Sequence, residues 1–171
     1  MSNLGMVAKV RVGLILLVTM LLSTTAWAMV PVKYIDENGD VQEISDYTKV
    51  AVNKDGALNI EGSGWYVVKG SIYATKAVDI NTDVNLVLTD SSELTIDISA
   101  DSTENQTVFN VGRLAIYSQE DQSGKLTLES SANVETSYGI AASGDVIVAG
   151  GYVESTARYA IYTVGKTIRI I

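Results

Sequence analysis

The chain is predicted to fold as an all-β protein, a short parallel β-helix of about four three-strand coils behind an N-terminal β cap. A pair of alternating hydrophobic runs joined by a turn recurs as Asn85-Leu-Val-Leu-Thr with Glu93-Leu-Thr-Ile, as Arg113-Leu-Ala-Ile-Tyr with Lys125-Leu-Thr-Leu, and as Asp145-Val-Ile-Val-Ala with Tyr152-Val-Glu-Ser. A further start stands at Thr167-Ile-Arg-Ile. The starts are 28, 32 and 22 residues apart, a spacing typical of stacked units that cannot bury an apolar face alone. β-branched and aromatic residues dominate these runs, Gly, Asn, Asp and Ser punctuate them, and no segment offers an amphipathic helix of twelve residues.

Residues 1–28 read as an export signal. Lys9 and Arg11 precede an apolar run from Val12 to Leu22, and Ala26-Trp-Ala28 supplies a small-x-small cleavage pattern. Eleven apolar residues fall short of the roughly 20 that a membrane-crossing helix needs, so no span is expected once cleavage leaves Met29 as the first residue. Residues 29–63 are assigned to a linker and cap. There, Asn38-Gly39 between extended flanks is a strong hairpin signal, and the open end of a solenoid core needs shielding.

Residues 64–171 hold the coils. The first comprises Trp65–Val68, Ser71–Ala74 and Ala77–Ile80, and the second Asn85–Leu88, Glu93–Ile98 and Thr107–Val111. The third comprises Arg113–Tyr117, Lys125–Glu129 and Tyr138–Ala142, and the fourth Asp145–Ala149, Tyr152–Ser155 and Tyr159–Val164. Side chains alternate along a strand, which directs Leu86 and Leu88, Leu114 and Ile116, Val146 and Val148, and Ile168 and Ile170 inward as one ladder. Leu94, Ile96, Leu126, Leu128 and Val153 line a second wall. An antiparallel sandwich competes, but recurrence of the whole three-strand pattern and the uneven corner insertion at residues 120–124 favour the solenoid. The last strand ends apolar and uncapped, so the chain reads as a truncated relative of a longer protein, with an open end suited to end-to-end pairing of copies.

Composition narrows the chemistry. After Ala28 there remain ten basic and twenty acidic residues, a net charge of −10 that repels nucleic-acid phosphates and anionic membranes. Cysteine is absent, so stability rests on burial and backbone ladders. Histidine is absent too, which removes Ser-His-Asp and Cys-His catalysis and the commonest transition-metal ligand.

Four stretches carry a family resemblance: Tyr34-Ile-Asp-Glu-Asn-Gly-Asp, Gly64-Trp-Tyr-Val-Val-Lys-Gly, Asp83-Val-Asn-Leu-Val-Leu-Thr-Asp-Ser-Ser-Glu-Leu-Thr, and Leu114-Ala-Ile-Tyr-Ser-Gln with Ser123-Gly-Lys-Leu. Together they resemble bacterial exported β-helix repeat proteins with "YIDENG", "WYVV.G", "DV.LIL.DG..LT" and "LTIYGQ…GKL" segments, over most of residues 33–155. The resemblance implies a right-handed parallel β-helix of the cell surface, in a group sometimes labelled carbohydrate-binding. Where that pattern has Asp-Gly, this chain has Asp90-Ser91.

Asp36, Asn38 and Asp40 fit the first positions of a calcium loop, but Val41 and Tyr47 occupy the places of its glycine and glutamate, which leaves a hairpin turn. Asp97, Glu129 and Glu154 are candidates for an outward carboxylate row that could hold calcium and, through it, an acidic sugar polymer. A solvated polar face is the plainer reading of the same residues. Trp65, Tyr66, Tyr117, Tyr138, Tyr152, Tyr159 and Tyr162 offer rings for stacking on sugars, with Trp65, Tyr117 and Tyr152 singled out. No catalytic residue emerges. A pectin-type lyase needs acids beside an arginine or lysine base, and Arg113, Arg158 and Arg169 align with no acidic row. The expected function is a noncatalytic, secreted or cell-surface solenoid for adhesion or polysaccharide contact on a host or bacterial surface, with no cofactor beyond calcium. The alternatives are a polysaccharide lyase or hydrolase remnant and a purely structural segment of a larger adhesin.

Overall fold

From Gly64 onward, every third strand returns to the same sheet. The computed structural model describes residues 29–100, 105–131 and 134–171; the expected export signal, residues 1–28, lies outside them. An N-terminal segment carries β1 (Val32–Ile35), β2 (Val41–Ile44) and β3 (Thr48–Lys49). The strands that follow are β4 (Gly64–Val68), β5 (Ser71–Ala74), β6 (Val78–Asp79), β7 (Val84–Leu88), β8 (Glu93–Asp97), β9 (Asn105–Val111), β10 (Leu114–Ser118), β11 (Lys125–Glu129), β12 (Thr136–Ala142), β13 (Val146–Ala149), β14 (Tyr152–Ser155), β15 (Tyr159–Thr163) and β16 (Ile168–Ile170). No helix occurs among the described residues. The first sheet runs β16-β13-β10-β7-β4-β3, the second β14-β11-β8-β5 and the third β15-β12-β9-β6, with parallel pairing throughout these paths. The fold is therefore all-β and built on parallel sheets.

The register gives one correction. Leu114 pairs with Val84 and Ile116 with Leu86, whereas equating the repeat starts sets Leu114 opposite Leu86. The offset is two residues, and an even slip keeps every side chain on its expected face. Stacked turns fix it: the Gly112 N–H donates to the Thr82 carbonyl at 2.9 Å, and the Gly144 N–H to that of Gly112. The later steps, Leu114 with Val146 and Val146 with Ile168, follow the expected spacing.

Between the three sheets, Tyr66, Leu86, Ile116 and Val148 stack as one column, and Leu94, Ile96, Leu126 and Leu128 form the facing wall. Phe109 and Ile140 close the third side. Burying each such side chain contributes roughly 1.5 to 3 kcal/mol. Ile168 and Ile170 continue the first-sheet columns but are 43% and 74% exposed, because β16 is the outermost described strand of that sheet.

The expected cap divides into two parts. Val50, Leu58 and Ile60 join the core cluster that includes Tyr66 and Val68 of β4. The β1–β2 hairpin instead covers the outer face of the first sheet, where Val32, Tyr34, Val67, Val87, Ala115, Tyr117, Ile147 and Ala149 form a second buried cluster. Its turn is the Asn38-Gly39 one. Gly39 has φ +85°, and one Asp36 carboxylate oxygen accepts from the Asn38 and Asp40 N–H groups at 2.9 Å each. At another corner, Ser91 holds φ +59° where the resembling pattern has glycine, and its N–H donates to Ser123 Oγ at 2.9 Å.

Candidate functional site

Alternation along the second sheet leaves its outer face polar. Glu93, Lys125 and Tyr152 form one column of register partners, Tyr73, Thr95, Thr127 and Glu154 the next, and Asp97 with Glu129 a third. The three acidic candidates thus do not make one row. Asp97 and Glu129 are neighbours, while Glu154 stands a column away and pairs with Lys125 at 2.9 Å. The Glu154 hydrogen bond raises the Lys125 ammonium above its ordinary pKa. Among the described residues, no three Asp or Glu side chains converge as a metal cage would require.

At the rim of this face, the Tyr73 hydroxyl donates to Asp97 Oδ2 at 2.5 Å, beside an open cavity of about 430 Å³ lined also by Thr75, Lys76 and Ile98. Donating that hydrogen bond to Asp97 keeps the Tyr73 phenol protonated above its usual range, and burial and nearby acidic charge add to the effect. The Asp97 carboxyl is lowered chiefly by hydrogen bonds from the Ser99 and Tyr73 side chains. The arginines lie elsewhere: Arg113 Nη1 donates to Asn85, Arg158 Nη1 to the Glu135 carbonyl, and Arg169 lies 3.7 Å from Glu37.

The singled-out aromatics separate as well. Trp65 and Tyr117 share the cluster under the hairpin, with Tyr34 4.9 Å from each ring and Trp65 stacked 5.5 Å from Tyr117. Tyr117 is buried, so its ring faces are taken up by protein, and burial raises the Tyr34 phenol. Tyr152 is exposed on the second sheet.

The third sheet gathers an exposed aromatic strip. Within β12, Gly139 and Ile140 are both buried, which resets the alternation so that Tyr138 and Ala141 both stay at the surface. Register then sets Tyr159 beside Tyr138 and Tyr162 beside Ala141. The Tyr138 and Tyr159 rings stack at 5.3 Å, and Tyr162 leans on Tyr138 at 4.9 Å. Tyr159 and Tyr162 remain 48% and 43% exposed. Gly139 is required here, since a Cβ would lie 2.6 Å from the Ala160 carbonyl oxygen. Polar groups border the strip: Thr107 is the register partner of Tyr138, and Asn110, partner of Ala141, donates Nδ2 to Asp79 at 2.8 Å. Ring faces with amide, carboxylate and hydroxyl groups alongside suit sugar C–H faces and hydroxyls together.

All three tyrosines belong to the seven aromatics named from the sequence, yet nothing local marks them as a set. Their convergence depends on a pairing between β12 and β15 and on the double burial at Gly139-Ile140. Comparison with protein-family models, curated proteins and solved structures gave no match.

Proposed function

We propose that this chain is an exported, noncatalytic right-handed parallel β-helix of four three-strand coils that binds polysaccharide at the cell surface. Rotation of successive strands through three parallel sheets supports the coil description, and the strong preference of parallel crossovers for one hand supports its handedness. The observation that carries the binding function is the Tyr138, Tyr159 and Tyr162 strip, in which Tyr159 and Tyr162 are exposed around a half-buried Tyr138, with a polar border. The engagement of Arg113, Arg158 and Arg169 away from Asp97 and Glu129 supports binding without lyase chemistry.

The test is affinity electrophoresis and pull-down of the 29–171 chain on plant, host and bacterial polysaccharides. Retention on at least one polymer is expected, and Tyr138→Ala with Tyr159→Ala weakens it tenfold or more. Failure on every polymer, or binding unchanged in the double variant, overturns the proposal. The outermost strands β14, β15 and β16, with Ile168, Ile170 and Ile171 exposed, support end-to-end pairing of copies, which sedimentation at rising concentration tests.

A further inference from the structure

We infer that the groove between the N-terminal hairpin and the corner that follows β7 and β10 is a second sugar site, shaped for a neutral hexose unit of the polysaccharide. The inference rests on the polysaccharide-binding proposal and adds a site distinct from the tyrosine strip. A cavity of about 530 Å³ opens there, lined by Val32, Lys33, Glu43, Lys69, Thr89 and Asp90 among others. A smaller one of about 180 Å³ shares Lys33, Asp90 and Gln119 with it and adds Tyr34, Ile35 and Val41. The larger falls within the range of small-molecule sites.

The groove is preorganised by a residue that spends its polar atoms on the protein. Gln119 donates Nε2 to the Lys33 carbonyl at 3.0 Å and accepts the Asp90 N–H on Oε1 at 3.1 Å, tying the hairpin to the corner and fixing the Asp90 backbone. The next residue, Ser91, is pinned from the other side by Ser123 and held at positive φ. The Asp90 backbone is thereby set in one place, while the Asp90 Oδ1 is shielded from solvent and has no hydrogen-bond partner among the described residues. A carboxylate oxygen left unpaired is costly, and rotation of the Asp90 carboxylate toward a hydroxyl donor in the groove relieves that cost.

The remaining lining selects the donor. Lys33 and Lys69 stand against Glu43 and Asp90, so neither sign of charge prevails, and Lys69 Nζ already donates to the Tyr47 hydroxyl at 3.1 Å. Thr89 Oγ1, which donates to the Val68 carbonyl at 2.7 Å, keeps its lone pairs as an acceptor, and Pro31 and Val32 supply an apolar surface. A neutral ring with hydroxyls on its rim and an apolar face matches this set, whereas a uronate brings a further negative charge to a 29–171 chain whose ten basic and twenty acidic residues give a net charge of −10.

The test is calorimetric titration of the 29–171 chain with cellohexaose, maltohexaose, mannohexaose and hexagalacturonate. At least one neutral hexaose is expected to bind, with Asp90→Ala weakening it tenfold or more. Glu43→Trp, made at an exposed strand position, fills the groove without altering the Asp90 turn and is expected to weaken binding to the same degree, at a melting temperature matching that of the unmodified chain. Binding that survives both variants but falls with Tyr138→Ala overturns the groove site and leaves the tyrosine strip standing. Binding of hexagalacturonate alone overturns the neutral assignment, and no binding of any kind to these or to polymers overturns both proposals.

Discussion

Replacing Ile116 by alanine probes the stacked core at its centre. Ile116 is fully buried between Leu86 and Val148, its register partners on the two adjacent strands. Removing three carbons forfeits about 2.4 kcal/mol at about 0.8 kcal/mol per methylene. A residual cavity of about 50 Å³ adds about 1.2 kcal/mol at about 24 cal/mol per Å³, because parallel strands held on both sides cannot collapse inward. The expected loss is therefore roughly 3.5 kcal/mol, a large part of the 5 to 15 kcal/mol typical of a domain. Urea unfolding of the 29–171 chain followed by far-ultraviolet circular dichroism measures it. Glu93→Ala, at an exposed position beside buried Leu94, serves as the control and should stay within about 0.5 kcal/mol. A loss below about 1 kcal/mol for Ile116→Ala would mean that this column is not the core, and the assignment of faces would fall with it.

Gly124→Ala introduces a Cβ 2.6 Å from that of Leu88 and 2.9 Å from the Leu88 carbonyl oxygen, with a destabilisation of about 1 to 3 kcal/mol expected in the same urea assay. The Asp36 and Asp97 carboxyls both lie below their ordinary pKa of 3.8, Asp36 chiefly through the Asp40 and Asn38 N–H groups. Their contribution is complete above that value and is lost as pH falls through the lower folded-state pKa values, so the melting temperature should decline below about pH 4, less steeply in Asp36→Asn and Asp97→Asn. Gln119→Ala removes two hydrogen bonds of about 0.5 to 1.5 kcal/mol each, and amide exchange in β1 should quicken while that in β7 and β8 holds.

Much of this architecture is legible in the sequence because short alternating runs fix both strand position and face. The slip of Leu114 from Leu86 to Val84 is not, since an even shift leaves the hydrophobic pattern unchanged and only the stacked turns at Thr82, Gly112 and Gly144 decide it. The seat of the hairpin had a signal. Val84–Leu88, Leu114–Tyr117 and Val146–Ala149 are apolar at almost every position, as strands covered on both faces are, and Trp65 and Tyr117 belong to that cover. The tyrosine strip and the groove had none, for each joins residues through pairings set by loops of unequal length. Asp97 and Glu129 meet because β8 and β11 pair in simple sequence register, while Glu154 enters β14 one alternate position away.

The hairpin also bears on how the molecule comes into being. Its seat is made of β4, β7, β10 and β13, and Gln119 grips Lys33 from 86 residues further along. The segment nearest the start of the chain must wait for partners that emerge long afterwards. Until they arrive, Val32 and Tyr34 have no wall to pack against, and assembly is slowed by the long loop that must close. Any factor that shelters nascent chains would find its work here, in the interval before the first strands fold back and shut the door.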